Sequence, residues 1–229
     1  MITYKIHLIR HGLTQGNLEG WWVGRKDLPV CPEGFSRMVK LKENCQYPQV
    51  EAVYSSPLMR CRQTAHFFYP DQEPTFIENL QEMDFGDYEG KTIEELSQDP
   101  QFLEWMKNSM EHSPPNGENS IAFAGRIADG LGQVFTDMMA RRITEAAVFT
   151  HGGVIMTLLA AYGFPREQMG RWAADNCCGY TIRMTPQMWQ RDGVFEIVDL
   201  VPYDPAAREE PHEEDDLDWD DDLTDETEL

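Results

Sequence analysis

The clearest structural signal in the chain is the sequence IHLIRHG, at residues 6–12. Its apolar part, residues 6–9, predicts a buried β-strand, and Arg10 and His11 follow directly, before a glycine that begins a turn. Ligand sites of open α/β sheets lie beyond the carboxyl ends of the strands. We therefore expect Arg10 and His11 to belong to a functional site.

A second stretch has the same order of residue types. Residues 146–149 are apolar and predict another buried strand, which ends in the sequence THGG, at residues 150–153. If the two strands are parallel, their carboxyl ends meet at one edge of the sheet. His11 and His151 are then neighbours.

A third strand, predicted over residues 50–54, leads to a second arginine. Ser56 and Pro57 are a favourable N-cap and first residue of a helix. Arg60 then lies in the first turn, where unpaired backbone N–H groups favour anions. Two histidines and two arginines at one sheet edge predict an anion pocket that contains a nucleophile.

The chemistry of these side chains suits a phosphoryl group. The guanidinium group of arginine binds phosphate oxygens in a bidentate manner and stays charged at any relevant pH. Neutral imidazole is a competent nucleophile, and neighbouring guanidinium groups disfavour its protonation. A second histidine can donate a hydrogen bond to the oxygens on which charge develops.

The leaving oxygen needs a proton, and a segment rich in carboxylates, residues 80–90, offers several donors. A carboxyl group that faces a bound phosphate has its pKa raised by the like charge, which suits it to general acid catalysis. Composition alone does not choose among the four candidates, which are Glu82, Asp84, Asp87 and Glu89.

The remaining pattern alternates between helices and strands. Helices are predicted over residues 32–44, 91–108 with an interruption at 99–100, 120–141 and 154–162, and late strands over 180–184 and 194–201. The expected fold is a three-layer α/β/α sandwich with a mainly parallel central sheet.

Four motifs together resemble the histidine phosphatase (phosphoglycerate mutase-like) superfamily. In chain order they are RHGxTxxN at residues 10–17, SSPxxRxxQTA at 55–65, LxExxFGxxEG at 80–90 and THGG at 150–153. The resemblance covers residues 4–162 and implies a phosphoglycerate mutase-like fold.

The resemblance also implies roles for single residues. His11 is the residue that becomes phosphorylated, and Glu82 is the proton donor, with Asp84 as a weaker alternative. The other catalytic residues that it implies are Arg10, Arg60 and His151. The implied substrate-binding residues are Arg10, Thr14, Asn17, Gly24, Arg60 and Gly152, and no metal or other cofactor is implied.

The segment after the glutamate motif favours a phosphatase over a mutase. Mutases of the superfamily carry a longer insertion there, with an arginine pair before a double proline. In this chain the segment at residues 91–115 is short, and no arginine precedes Pro114-Pro115. Residues 115–119 instead resemble the Pro-x-Gly-Glu-Ser turn of the small phosphatases, with Asn119 in place of serine. A shorter segment leaves the site open to water, so we expect hydrolysis of a small phosphorylated metabolite.

Three alternatives stay open at this point. The chain could be a mutase-type phosphoryl transferase, or a module that binds a phosphorylated ligand without turning it over. Two histidines and a carboxylate could also bind a divalent metal, although two arginines would repel it.

The negative charge is concentrated at the C-terminus. Residues 204–229 hold 14 acidic residues and one arginine, so they carry −13 of the net charge of −21. We expect a histidine phosphatase domain over residues 1–203 and a disordered acidic tail over 204–229, which could bind a partner through Leu217 and Trp219. Nucleic acid is not an expected partner of so acidic a chain.

The rest of the composition predicts a cytoplasmic protein. Five cysteines are an odd number without metal-like spacing, which favours a reducing compartment. No apolar run is long enough for a membrane span, and residues 1–10 lack the features of a secretory signal. The sequence allows a homodimer without identifying its interface.

Overall fold

Seven strands form one mixed sheet in the computed structural model, which describes residues 2–205. Their spatial order is β3-β2-β4-β1-β6-β7-β5. Neighbouring strands are parallel except for β1–β6 and β6–β7, which are antiparallel. The strands are β1 Tyr4–Arg10, β2 Ala52–Ser55, β3 Thr75–Phe76, β4 Glu145–Thr150, β5 Gly163–Phe164, β6 Gly179–Met184 and β7 Phe195–Val201.

Seven α-helices accompany the sheet in the described part of the chain. They are α1 Gln15–Leu18, α2 Pro32–Asn44, α3 Met59–Phe68, α4 Ile93–Leu96, α5 Pro100–Lys107, α6 Ser120–Arg141 and α7 Gly152–Tyr162. None of the helices over residues 2–205 is both long enough and apolar enough to cross a lipid bilayer.

The alternation of side chains along β1 builds a core on each face of the sheet. Ile6 and Leu8 belong to the larger apolar cluster, which includes residues of α5, α6 and α7. Ile9 points to the other face, where it joins residues of α2 and α3. Helices therefore cover both faces, as the predicted three-layer α/β/α fold requires, and β1 is central in the sheet.

Most predicted helices are present, but the start of α3 is not where the sequence analysis placed it. The helix begins at Met59, and Leu58, not Ser56, occupies the N-cap position. The physical reason is that the backbone of Leu58 is still extended and that Asp27, not Ser56, accepts from the Met59 N–H, at 2.6 Å. The hydroxyl of Ser56 bonds to the ring of His151 and to the Leu58 N–H. Arg60 nevertheless lies in the first turn, as predicted.

The predicted tail lies almost entirely outside the described residues. Val201, at the end of β7, is level with Gly179 of β6 and hence with Ile9 of β1. The described chain therefore leaves the sheet at the edge where β1 ends.

Candidate active site

The carboxyl ends of β1 and β4 bring the two histidines together. The strands are adjacent and parallel, with Arg10 opposite Thr150, and the backbone N–H of His11 donates to the Thr150 carbonyl at 2.9 Å. The ring centroids of His11 and His151 are 5.3 Å apart. The predicted convergence of the two strand-histidine-glycine stretches is confirmed.

His11 is held as a neutral imidazole with a defined tautomer. Its Nδ1 lies 2.7 Å from the carbonyl oxygen of Gly12, which can only accept, so Nδ1 carries the proton and Nε2 keeps its lone pair. Burial lowers the pKa of His11 well below 6.5, and the charge of Arg60 lowers this pKa further. The backbone N–H of Gly12 donates to the Thr64 hydroxyl at 2.8 Å, which fixes the turn.

His151 has the opposite tautomer. Its Nδ1 accepts from the guanidinium group of Arg60, with distances of 3.1 Å to Nη2 and 3.3 Å to Nε. Nε2 therefore carries the proton and donates to the Ser56 hydroxyl at 2.9 Å. Burial lowers the pKa of His151 well below 6.5, and the charge of Arg60 lowers this pKa further.

The two arginines are anchored by backbone carbonyls. Arg60 is fully buried and donates to the carbonyl oxygens of Gly24 and Lys26, both at 2.8 Å. Arg10 donates from Nη1 to the Ala174 carbonyl at 2.7 Å, while its Nε is buried without a hydrogen-bond partner. Donors that remain unused on a fixed guanidinium group favour an anion beside it.

Glu82 lies in the same pocket. Its carboxylate accepts from the backbone N–H groups of Met83 and Gly153, both at 2.9 Å. Burial raises the pKa of Glu82, while these two hydrogen bonds and the charges of Arg60 and Arg10 oppose that rise. The site therefore combines a neutral imidazole, two cations and a carboxyl group that is biased towards its protonated form.

Comparison with known proteins identifies the family. Residues 6–196 match the profile of the histidine phosphatase superfamily, branch 1. The chain belongs to this superfamily.

Relatives of the chain include proteins named as phosphatases. It is 28% identical over 179 residues to the adenosylcobalamin/alpha-ribazole phosphatase of Escherichia coli, an alignment that covers 76% of this chain and 87% of the relative. It is 30% identical over 161 residues to a protein provisionally named phosphoserine phosphatase 2 of Hydrogenobacter thermophilus, with 68% and 76% covered. The alpha-ribazole phosphatase of Shigella flexneri has the same fold, with a TM-score of 0.72 at 24% identity over 87% of this chain and 96% of that one.

The other carboxylates of the glutamate motif have structural partners. Asp84 accepts from the Gly86 N–H at 2.9 Å, and Asp87 accepts from the Asn116 side chain at 3.1 Å. Glu89 accepts from the backbone N–H groups of Arg25 at 2.6 Å and Lys26 at 2.7 Å. Of the four candidates, Glu82 is the one bonded to the THGG segment, through Gly153.

Three of the predicted substrate-binding residues, Gly24, Thr14 and Asn17, have structural partners within the chain. Gly24 acts here through its carbonyl, and a Cβ at Gly24 would lie 1.9 Å from the Met83 carbonyl oxygen, so no larger residue fits. Thr14 and Asn17 bond to each other across the first turn of α1, where Asn17 Oδ1 accepts from the Thr14 N–H at 3.1 Å. That Asn17 also donates to a phosphate stays a prediction.

Two residues that support the site were missed by the sequence analysis. Thr64 stands within a quoted motif but received no role, although its hydroxyl holds the turn after His11. Arg126 lies on α6 and donates to the carbonyl oxygens of Asn79, Gln81 and Glu82 at 2.9, 2.9 and 3.2 Å, which fixes the segment that carries the glutamate. The helical spacing of α6 gave no sign of this, because Arg126 follows the ordinary pattern of a polar helix position.

No cluster of three or more potential metal ligands occurs among residues 2–205. The donors of the pocket are those of an anion site, with two guanidinium groups beside two neutral imidazoles.

Proposed function

We propose that this member of the histidine phosphatase superfamily is a metal-independent phosphomonoesterase that acts through a phosphohistidine at His11 on a small phosphorylated metabolite. The observation that carries the proposal is the hydrogen bond from Nδ1 of His11 to the Gly12 carbonyl. It leaves the lone pair of Nε2 on a buried, neutral ring that lies among Arg10, Arg60 and His151.

In the first step, the non-bridging oxygens of the ester bind to Arg10 and Arg60. Nε2 of His11 attacks phosphorus, an N–P bond forms and the P–O bond of the ester breaks. The electron pair of that bond stays on the leaving oxygen, which takes the proton of Glu82. The raised pKa of Glu82 is consistent with a carboxyl group that is protonated at this moment.

In the second step, water attacks the phosphohistidine. The carboxylate of Glu82 accepts a proton from this water, a P–O bond forms and the N–P bond breaks. The electron pair of the N–P bond returns to Nε2, and inorganic phosphate leaves. Both the ring and Glu82 are then in their initial states.

Hydrolysis is favoured over transfer to a second hydroxyl by the short segment after the glutamate motif. Only the brief helices α4 and α5, eight residues or fewer each, follow Glu89 before the Pro114-Pro115 turn. The relatives that are named as phosphatases support the same direction.

The test is release of inorganic phosphate from a panel of phosphomonoesters, 3-phosphoglycerate included, in the presence of EDTA. The proposal predicts release by the wild-type chain and no measurable release by the His11→Ala variant at equal protein concentration. Conversion of 3-phosphoglycerate to its 2-isomer without release would indicate a mutase. Activity that EDTA abolishes and a divalent cation restores would indicate a metal enzyme, and binding without turnover would indicate a binding module.

A further inference from the structure

The segment from Gly24 to Lys26 lies between two parts of the proposed site. On one side its carbonyl groups accept the hydrogen bonds of Arg60. On the other side Gly24 packs directly on the Met83 carbonyl, one residue after Glu82. The carboxylate of Glu89 accepts from the backbone N–H groups of Arg25 and Lys26 and fixes the segment in place. The side chain of Arg25 therefore leaves the backbone at the border of the site.

The guanidinium group of Arg25 has hydrogen-bond donors to spare. Its nearest carboxylate is Glu118, at 3.9 Å from Nη2, which is beyond hydrogen-bond distance. Its Nε is buried without a hydrogen-bond partner. The carboxylate of Glu118 is already bound by the guanidinium group of Arg126 and by the Asp84 N–H.

The guanidinium group of Arg25 stays charged in this setting. Burial lowers its pKa and the charge of Arg126 lowers this pKa further, while the charges of Glu118, Asp84 and Glu89 oppose that fall, and a guanidinium group stays charged at neutral pH. None of these carboxylates lies within hydrogen-bond distance of the guanidinium group, so an additional anion beside Arg25 would satisfy its unused donors.

The reacting phosphoryl group is not that anion, because Arg10 and Arg60 take it under the proposed function. Arg25 lies instead beside the segment that follows Glu82, and Glu82 protonates the leaving oxygen. The group nearest to Arg25 in a bound ester is therefore part of the alcohol that leaves.

We propose that Arg25 is a specificity-determining residue that binds a second anionic group, a carboxylate or a phosphate, on the leaving alcohol. This inference rests on the proposed phosphatase activity and narrows its substrates to phosphomonoesters with two anionic groups. Arg25 acts on the bound ester and takes no part in the attack by His11.

The test compares esters that differ in the second anionic group. Phosphoserine is paired with phosphoethanolamine, which lacks the carboxylate, and fructose 1,6-bisphosphate with fructose 1-phosphate, which lacks the second phosphate. The variants are Arg25→Gln, which removes the charge, and Arg25→Lys, which keeps the charge without the planar fork. Neither change affects the backbone N–H that bonds to Glu89. Arg62→Gln is the matched control, since Arg62 is exposed on α3 with its guanidinium group over the ring of Phe76.

In at least one pair, we expect the wild-type chain to prefer the ester with two anionic groups by about 10- to 100-fold in kcat/KM, the scale of a charge-assisted contact. Arg25→Gln should abolish that preference by raising KM for this ester. The same variant should change kcat/KM for the ester with one anionic group by less than about threefold. Arg25→Lys should restore part of the preference, and Arg62→Gln should leave it unchanged. The pair that shows the preference identifies the carboxylate or the phosphate as the group bound.

Two results would overturn the assignment while the phosphatase activity stands. One is phosphate release without preference in either pair. The other is a loss in Arg25→Gln that is equal for all four esters, which would make Arg25 a general structural residue. Absence of release from every ester would contradict the proposed function itself and this inference with it.

Discussion

His11 and His151 begin from nearly the same local sequence and end in different chemical states. Each follows a buried strand and precedes a glycine, the two strands are adjacent and parallel, and both rings are buried. The proton, however, is on Nδ1 in His11 and on Nε2 in His151, because different neighbours hold the two rings.

The neighbours explain which ring is free to react. The one ring N–H of His11 donates to the backbone carbonyl of Gly12, which takes no part in the reaction, and Nε2 keeps its lone pair. His151 uses both nitrogens, one with Arg60 and one with Ser56. It also occupies the N-cap position of α7, where the helix dipole disfavours a positive ring and favours a bound anion. The proposed function therefore assigns the role of nucleophile to His11 and a place in the anion pocket to His151.

The largest effect should come from His11→Asn. The amide of asparagine can still donate to the Gly12 carbonyl, but no lone-pair nitrogen remains to attack phosphorus. We expect kcat to fall by about 10⁴-fold or more, as for removal of a nucleophile, with an unchanged circular dichroism spectrum. A variant that keeps more than a few per cent of the activity would refute the assignment of His11.

Glu82→Gln should have the next largest effect, and the effect should depend on the leaving group. With an alkyl phosphate, which needs its leaving oxygen protonated, we expect a loss of about 10²- to 10⁴-fold in kcat/KM. With p-nitrophenyl phosphate, whose leaving group is stable as an anion, kcat/KM should fall much less, and p-nitrophenol should appear in a burst. Equal losses on both substrates would show that Glu82 is not the acid; Asp84→Asn, tested in parallel, examines the weaker alternative.

His151→Gln should cost less than His11→Asn if the comparison is correct. The glutamine amide can still donate to Ser56, but its carbonyl oxygen does not reproduce the position of the ring Nδ1, so Arg60 is oriented less well. We expect a loss of about 10²- to 10³-fold in kcat, the scale for one group that stabilises the transition state. Stopped-flow and steady-state assays measure kcat for the two variants. A larger loss of kcat in His151→Gln than in His11→Asn would reverse the roles assigned to the two histidines.

The smallest effect concerns stability. The folded-state pKa values of His11 and His151 lie below 6.5, so between those values and 6.5 the unfolded chain binds protons that the folded chain does not. The free energy of unfolding should therefore fall as the pH falls through this range, by up to about 1.4 kcal/mol per pH unit for each histidine. The raised pKa of Glu82 acts in the opposite sense, because its contribution to stability is lost as the pH rises above 4.5.

Urea unfolding of the wild-type chain and of His11→Asn at several pH values between 5 and 7 measures this contribution. Removal of His11 should make the slope of the free energy of unfolding against pH shallower by the contribution of one histidine. Identical slopes in the two chains would show that His11 does not carry a lowered pKa in the folded state.

Much of the fold could be predicted because periodicity and helix-stop signals are local. The helix at residues 120–141 matches α6 at both ends, and α7 ends where Gly163 follows it. The start of α3 was wrong because it depended on a tertiary contact. Ser56 is a good N-cap in isolation, but the N–H of Met59 is bound by Asp27, which lies 32 residues earlier in the chain.

The candidate site could be predicted to the level of residue type and position. The strand-histidine-glycine order and the parallel pairing put His11, His151 and Arg60 together, and the family motifs chose Glu82. The tautomers could not be predicted, because they depend on which carbonyl, hydroxyl or guanidinium group lies within hydrogen-bond distance. The same holds for Arg25 and Arg126, whose relation to Glu118 exists only after the segments at residues 24–26 and 115–119 fold against each other.

The central claim is that Nε2 of His11, and not His151, carries the phosphoryl group. The most direct measurement is to mix Glu82→Gln with p-nitrophenyl phosphate, quench in alkali, where phosphohistidine is stable, and map the modified peptide by mass spectrometry. The account predicts about one phosphoryl group per chain, on the peptide that contains His11, and none in the double variant with His11→Asn. A label on the peptide that contains His151, or turnover without any label, would contradict it.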